Sequence, residues 1–177
     1  MIGILTAVVV VVGVVAGADL LLSFAVIRRL AALQSRMQGL SGGGGSVAVG
    51  HKVGDFRVEL LTGDEFTLAD LMGQSSMVVF MTTTCEPCKT AAAELEALPA
   101  PLPFPLYILI SGSDEDDDVP RVAAGMPMGA RIAEISPSDG VVKAFGVDGV
   151  PAVLRVEDGI VRASDYRVSR LLEHAGQ

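Results

Sequence analysis

The chain has two cysteines, and both stand in one short stretch, Cys85-Glu86-Pro87-Cys88. A pair so close in sequence cannot staple distant elements, so reactivity is its expected use. A thiolate attacks a disulfide readily, and a second thiol about one helical turn away can resolve the mixed disulfide that forms. In that chemistry Cys85 attacks and Cys88 resolves. A thiol pair has two metal-binding uses besides exchange. Structural zinc wants four ligands, and the histidines on hand, His51 and His174, stand at opposite ends of the folded part without ligand spacing. A copper carrier could use two soft sulfurs, but neither Met nor His flanks the pair. No metal and no other cofactor is therefore expected.

Thiol exchange needs an element that presents one sulfur at a helix start, where free N–H groups and the helix dipole stabilise a thiolate. The flanking residues supply one. Ser76 to Met81, with Met77, Val78, Val79, Phe80 and Met81 all apolar, reads as a central strand buried on both faces. Thr82, Thr83 and Thr84 lead into the motif, and Lys89 to Leu98 is rich in Ala, Glu and Leu. Thr84 is the expected helix cap, Pro87 suits the first turn, and Pro99 stops the helix. Glu86 favours a helix N-terminus, yet its charge beside Cys85 opposes thiolate formation and predicts a more reducing couple.

Around this unit the pattern predicts an opening hairpin, Phe56 to Leu61 and Glu65 to Leu68, across the turn Thr62-Gly63-Asp64. Phe104 to Ile110 is a second buried strand, followed by the acidic block Asp114 to Asp118, read as a solvated loop. Arg131 to Ile135 reads as a strand and Ser138 to Phe145 as a short helix ended by Gly146. Val153 to Val156 and Ile160 to Ala163 form a hairpin around Asp158-Gly159, and Ser169 to His174 closes as a helix before Gly176.

Composition adds a membrane. Half of the 177 residues are hydrophobic (50%) and only 19% charged, with a mean hydropathy of +0.52. The apolar excess crowds the first 27 positions. Ile2 to Ile27 lacks Lys and Arg and would measure about 39 Å as a helix, longer than the ~30 Å hydrocarbon core. Residues 1–27 are therefore read as an uncleaved transmembrane anchor, since a signal peptide would want a basic start and a shorter apolar run. Asp19 sits at its interfacial end or has a partner. Gly13 and Gly17 form a GxxxG pair, so a homodimer through them is one expectation, beside the plain frequency of small residues in such segments. Residues 28–46 are a juxtamembrane helix, a stalk or a lipid-lying segment, ending in the linker Ser41 to Ser46. Residues 47–177 make one folded domain. Arg28, Arg29 and Arg36 against Asp19 leave that domain with 10 basic and 20 acidic residues out of the chain's 13 and 21. So acidic a domain, lacking any basic stripe with interleaved aromatics, argues against nucleic acid as a partner.

The stretch Val79-Phe80-Met81-Thr82-Thr83-Thr84-Cys85-Glu86-Pro87-Cys88-Lys89 resembles the active-site strand and helix of thioredoxin-like, membrane-anchored thiol-disulfide oxidoreductases. These are the TlpA-like redoxins of cytochrome c maturation and the similar methylamine-utilisation accessory protein. Gly50 to Phe56, Phe66 to Leu71 and Gly149-Val150-Pro151 fall where that family has its opening segment, its pre-strand turn and its cis-proline loop. The resemblance spans about residues 47 to 175 and implies an α/β, thioredoxin-like fold with an N-terminal hairpin, preceded by one transmembrane helix. It also implies that Pro151 is cis and faces the cysteines, and that Val150 offers its backbone to the substrate chain, next to Thr84. Two positions depart from the family. Thr84 replaces a common Trp, and Val79 stands six residues before Cys85, where thioredoxin has a buried acid, leaving Cys88 without an obvious base.

The implied activity is disulfide reduction in protein substrates, with recharging by a membrane-embedded electron donor. The same fold hosts peroxiredoxins, and Thr82 does stand three residues before Cys85. Val78, however, occupies the place of the proline expected before that threonine, so a peroxidase is the alternative, with the copper carrier as a third reading. Orientation divides the arguments. Three arginines after the span favour a cytoplasmic domain, whereas the resemblance places it outside the cytoplasm, which is the side expected here.

Overall fold

The computed structural model describes residues 47–99, 101–112 and 119–175, with the isolated positions Gly3 and Gly45. The expected transmembrane anchor with Gly13 and Gly17, the juxtamembrane segment, the acidic block Asp114 to Asp118 and Gly176 lie outside the described residues. Among those described, no helix is long and apolar enough to cross a membrane.

Strand β3 (Ser75–Thr82) is the axis of the domain, with every residue from Ser76 to Met81 buried. Alternate side chains of a strand face opposite ways, so this apolar run supplies two cores at once. Val78 and Phe80 join one, whereas Met77, Val79 and Met81 join the other. Strand β4 (Leu106–Ser111) lies parallel to β3 and β5 (Arg131–Glu134) parallel to β4. On the other side β6 (Ala152–Glu157) runs antiparallel to β3, and β7 (Ile160–Asp165) antiparallel to β6. The five-stranded order is β5-β4-β3-β6-β7. The β6–β7 connection is Asp158-Gly159, with φ of 50° and 68°, the left-handed pair that a tight two-residue hairpin turn requires.

The first core is closed by a separate antiparallel hairpin, β1 (Arg57–Glu59) and β2 (Glu65–Thr67). Phe66 of β2 stacks on Tyr107 of β4 with centroids 3.8 Å apart, and Phe56 meets both Phe66 and Phe145 edge-on or tilted. Helix α1 (Glu86–Glu96) follows β3, and α2 (Val119–Ala124) follows β4. Helix α3 (Gly140–Phe145) ends at Gly146, whose φ of 67° makes the left-handed cap. The last helix, α4 (Val168–Ala175), covers the second core together with α1 and α2 through Val168, Leu171, Leu95 and Val119. The segment before β1 runs along β7, where Val161 N–H donates to the His51 carbonyl at 2.9 Å.

Three expectations change. Leu68 does not extend the second hairpin strand, because Thr67 and Asp70 form a capping box and Leu68–Leu71 coils into a 3₁₀ turn. Helix α2 has no counterpart in the sequence reading, which passes over a six-residue helix burying only Val119. Helix α1 ends at Glu96 with Ala97 as its C-cap, short of Pro99, and its N-cap lies one residue beyond Thr84.

Candidate active site

The CEPC stretch lies where β3 stops pairing and α1 begins. Cys85 is the cap of α1, with extended backbone at φ −89° and ψ 131°, and its sulfur accepts the N–H of Cys88 at 3.1 Å. This replaces the cap expected from Thr84, which sits exposed in the preceding bend. The main-chain carbonyl of Cys85 also receives the N–H groups of Cys88 and Lys89 at 3.1 and 3.2 Å. Pro87 occupies the second helical position, where the missing N–H forfeits no helical bond.

Cys85 and Cys88 are joined as a disulfide, with Cα atoms 5.2 Å apart. The two sulfurs differ in environment. Cys85 is half-buried, whereas Cys88 is 1% exposed and belongs to the second core. An incoming nucleophile or substrate sulfur therefore meets Cys85 first.

Helix geometry accounts for the difference. Cys88, Ala91 and Leu95 form the buried face of α1, spaced three and four apart as the helical period requires. Cys85, one turn before Cys88, stands at the open end of that face.

Charge near the pair is balanced on the surface. Glu86 forms an exposed ion pair with Lys89 on the same turn. The opposition that Glu86 exerts on a Cys85 thiolate is thus offset by a cation three residues on, and the helix N-terminus remains as the stabilising field. A second ionic cluster fixes the far half of α1. Glu94 accepts Arg167 Nε at 2.8 Å, the Ser169 N–H at 3.1 Å and the Ser169 hydroxyl at 3.2 Å. Burial alone would raise the Glu94 carboxyl, but the bonds from Arg167 and Ser169 and the Arg167 charge outweigh it, and its pKa lies below the ordinary value. The cluster ties α1 to the start of α4.

Long-range pairing brings in the proline loop. The Val150–Pro151 peptide is cis, the isomer that the family resemblance implies for it. In β3–β6 the last registered pair is Phe80 with Ala152. Continuing that antiparallel register carries Pro151 and Val150 toward Met81 and Thr82, the end of β3 from which the CEPC stretch departs. Pro151 is buried and Val150 half-buried, and Val150 packs against the same core as Cys85 and Cys88.

One neighbour of the pair escaped the sequence reading in this role. Thr82 places its N–H 3.5 Å and its hydroxyl 3.9 Å from the sulfur of Cys88. In the sequence it bears only on the peroxidase alternative, and its six-residue distance from Cys88 carries no local signal. A cleft of about 380 Å³ lies elsewhere, lined by Asp55, Phe56, Arg57, Thr67, Leu68 and Ala69, and contains none of the site residues. Among the described residues no cluster of three or more His, Cys, Asp or Glu could hold a metal ion.

No protein-family profile matches the chain, and no curated protein is similar to it in sequence. Solved structures do match in fold. A proposed thiol:disulfide interchange protein DsbE from Chlorobium tepidum superposes with a TM-score of 0.56 at 22% identity, covering 73% of this chain and 95% of that one. The thioredoxin domain of a thiol-disulfide oxidoreductase from Bacteroides vulgatus gives 0.55 at 17% identity, over 74% and 97%. A thio-disulfide isomerase from Thermus thermophilus gives 0.54 at 24% identity, over 72% and 94%. The domain thus has the mixed α/β, thioredoxin-like fold expected from the sequence, with its N-terminal hairpin.

Proposed function

We propose that this chain is a membrane-tethered thiol-disulfide oxidoreductase that reduces disulfides in protein substrates. The observation that carries the reading is the disulfide-bonded Cys85–Cys88 pair at the start of α1, one sulfur half-buried and the other buried. In the reduced form the Cys85 thiolate attacks a substrate disulfide, forming a mixed disulfide and expelling one substrate thiolate. Cys88 then attacks Cys85, closing the protein disulfide and releasing the second substrate thiolate. Two electrons and, after protonation, two protons pass from protein to substrate.

The accessible sulfur sits at a helix end rather than in the cleft on the hairpin, which suits a macromolecular substrate approaching the surface. Val150 and Thr84 would flank such a chain, with Pro151 holding the loop beside Cys85. A net-neutral first turn, Glu86 against Lys89, supplies no surplus positive charge to stabilise the thiolate strongly. That favours a reducing couple over a strongly oxidising one. The apolar N-terminal run and the linker Ser41 to Ser46 fit a domain held within reach of a membrane-embedded electron donor and placed outside the cytoplasm, where substrate disulfides persist.

Equilibration of the full chain with glutathione tests the direction. The expected potential lies nearer ~−270 mV than ~−120 mV, and a value above about −180 mV would remove the reductant assignment.

A further inference from the structure

Resolution of the mixed disulfide requires the buried Cys88 thiol to become a thiolate, and burial disfavours the charged form. Cys88 is 1% exposed and belongs to the core that also holds Met77, Val79, Met81, Leu95 and Ile110. Among the described residues, its sulfur's polar partners beyond the helix both come from Thr82, the N–H at 3.5 Å and the hydroxyl at 3.9 Å. Val79, on the same strand, carries no charge that could take the proton.

We propose that Thr82 is a catalytic residue of the resolving step, its hydroxyl stabilising the Cys88 thiolate that displaces substrate from Cys85. The inference rests on the oxidoreductase reading above. A threonine hydroxyl can accept a hydrogen bond from S–H and, after rotating, donate one to S⁻, so the same contact serves both protonation states. The Cys88 proton passes to a solvent base. The thiolate electron pair then forms the Cys85–Cys88 bond, the bond between Cys85 and the substrate sulfur breaks, and that sulfur leaves with the electron pair and is protonated by water. In the return half-reaction a donor thiolate attacks Cys85, and Cys88 departs as a thiolate toward the same hydroxyl and N–H.

The reduced full chain mixed with one equivalent of 5,5′-dithiobis(2-nitrobenzoate) separates the two steps. Attack by Cys85 releases one nitrothiobenzoate, and resolution by Cys88 releases the second. Thr82→Val keeps the size and the N–H but removes the hydroxyl. Its first release should stay within about twofold of wild type while its second slows about tenfold at pH 7, as expected for one lost hydrogen bond to a charged group. The gap should narrow as rising pH ionises Cys88 without help, and Thr82→Ser should restore the fast second release. Thr82→Ala provides the same reading where the valine variant folds poorly by circular dichroism. A second release as fast as wild type, or one slowed equally at every pH, would overturn the role of Thr82. A wild-type chain that releases only one equivalent, as Cys88→Ala should, would overturn the oxidoreductase reading itself.

Discussion

Reducing the Cys85–Cys88 bond should lower the stability of the domain only modestly, and the sign of the change reports the direction of electron flow. The bond joins residues separated by 3 in sequence, so it constrains the unfolded chain over a very short loop. The chain-entropy relation assigns such a loop about 2 kcal/mol at 25 °C, near the low end for disulfides. Spread over the unfolding entropy of a domain of roughly 130 residues, that corresponds to a Tm lower by about 7 °C in the reduced form. Thiolate stabilisation in the folded state works against this loss. At Cys85 it comes from the Cys88 N–H and the helix start, with the Glu86–Lys89 pair neutral overall. In a strongly oxidising protein that stabilisation wins, and the reduced form becomes the more stable one. The measurement is thermal unfolding of the full chain by circular dichroism, oxidised and in excess dithiothreitol, with Cys85→Ser/Cys88→Ser as the non-titrating reference. A reduced form that melts above the oxidised one would mean that thiolate stabilisation outweighs the loop entropy, and would refute the reductant assignment.

Other perturbations probe separate parts of the construction. Cys88→Ala should accumulate mixed disulfides with substrate proteins through Cys85, whereas Cys85→Ala should trap none; equal trapping by both variants would refute the assigned roles. Glu94→Gln breaks the tie between α1 and α4 and, discounted for solvent screening, should cost no more than about 1 kcal/mol at neutral pH. Because the Glu94 carboxyl lies below its ordinary pKa when folded, its contribution is present at neutral pH and is lost as pH falls through that lowered value. Acid titration of stability should therefore be shallower in the variant, and superimposable profiles would refute the cluster's role. Phe66→Ala empties a position with 0% exposure stacked on Tyr107 and should cost about 3–5 kcal/mol in denaturant unfolding; a loss below about 1 kcal/mol would mean the hairpin lies outside the cooperative unit. Protease added to spheroplasts should digest the domain while cytoplasmic markers survive, and protection until the membrane is broken would place it in the cytoplasm instead.

Much of this architecture was legible locally. The run Met77 to Met81 is too uniformly apolar for a half-exposed strand, and its two-sided burial follows. The reading of α1 beginning within the motif, of Gly146 ending α3 and of Asp158-Gly159 turning β6 into β7 each depends on dihedral preferences spanning a few residues. The misread positions are also local but nearly degenerate. Thr84 and Cys85 can both accept a helix N–H, and the extended backbone at Cys85 decided between them. At Leu68, a capping box outweighed continued strand. Helix α2 is too short for its period to be seen, with a single buried residue in its six.

By itself the sequence determined the reagent: two thiols at one helical spacing, after a buried strand and before a helix, with the Glu86 carboxylate beside the first of them. That much is local because helix starts, caps and turn pairs are set by sterics and hydrogen bonds within about one turn. Only the tertiary structure decided what surrounds the sulfurs. Pairing of β3 with β6 brings Val150-Pro151 to the motif from some 65 residues away, docking of α4 brings Arg167 and Ser169 to Glu94, and burial of the Ala91–Leu95 face seats Cys88 against Thr82. Those proximities depend on strand register and on how helices pack over two shared cores, and register is chosen by the burial of whole faces at once rather than by any residue's near neighbours.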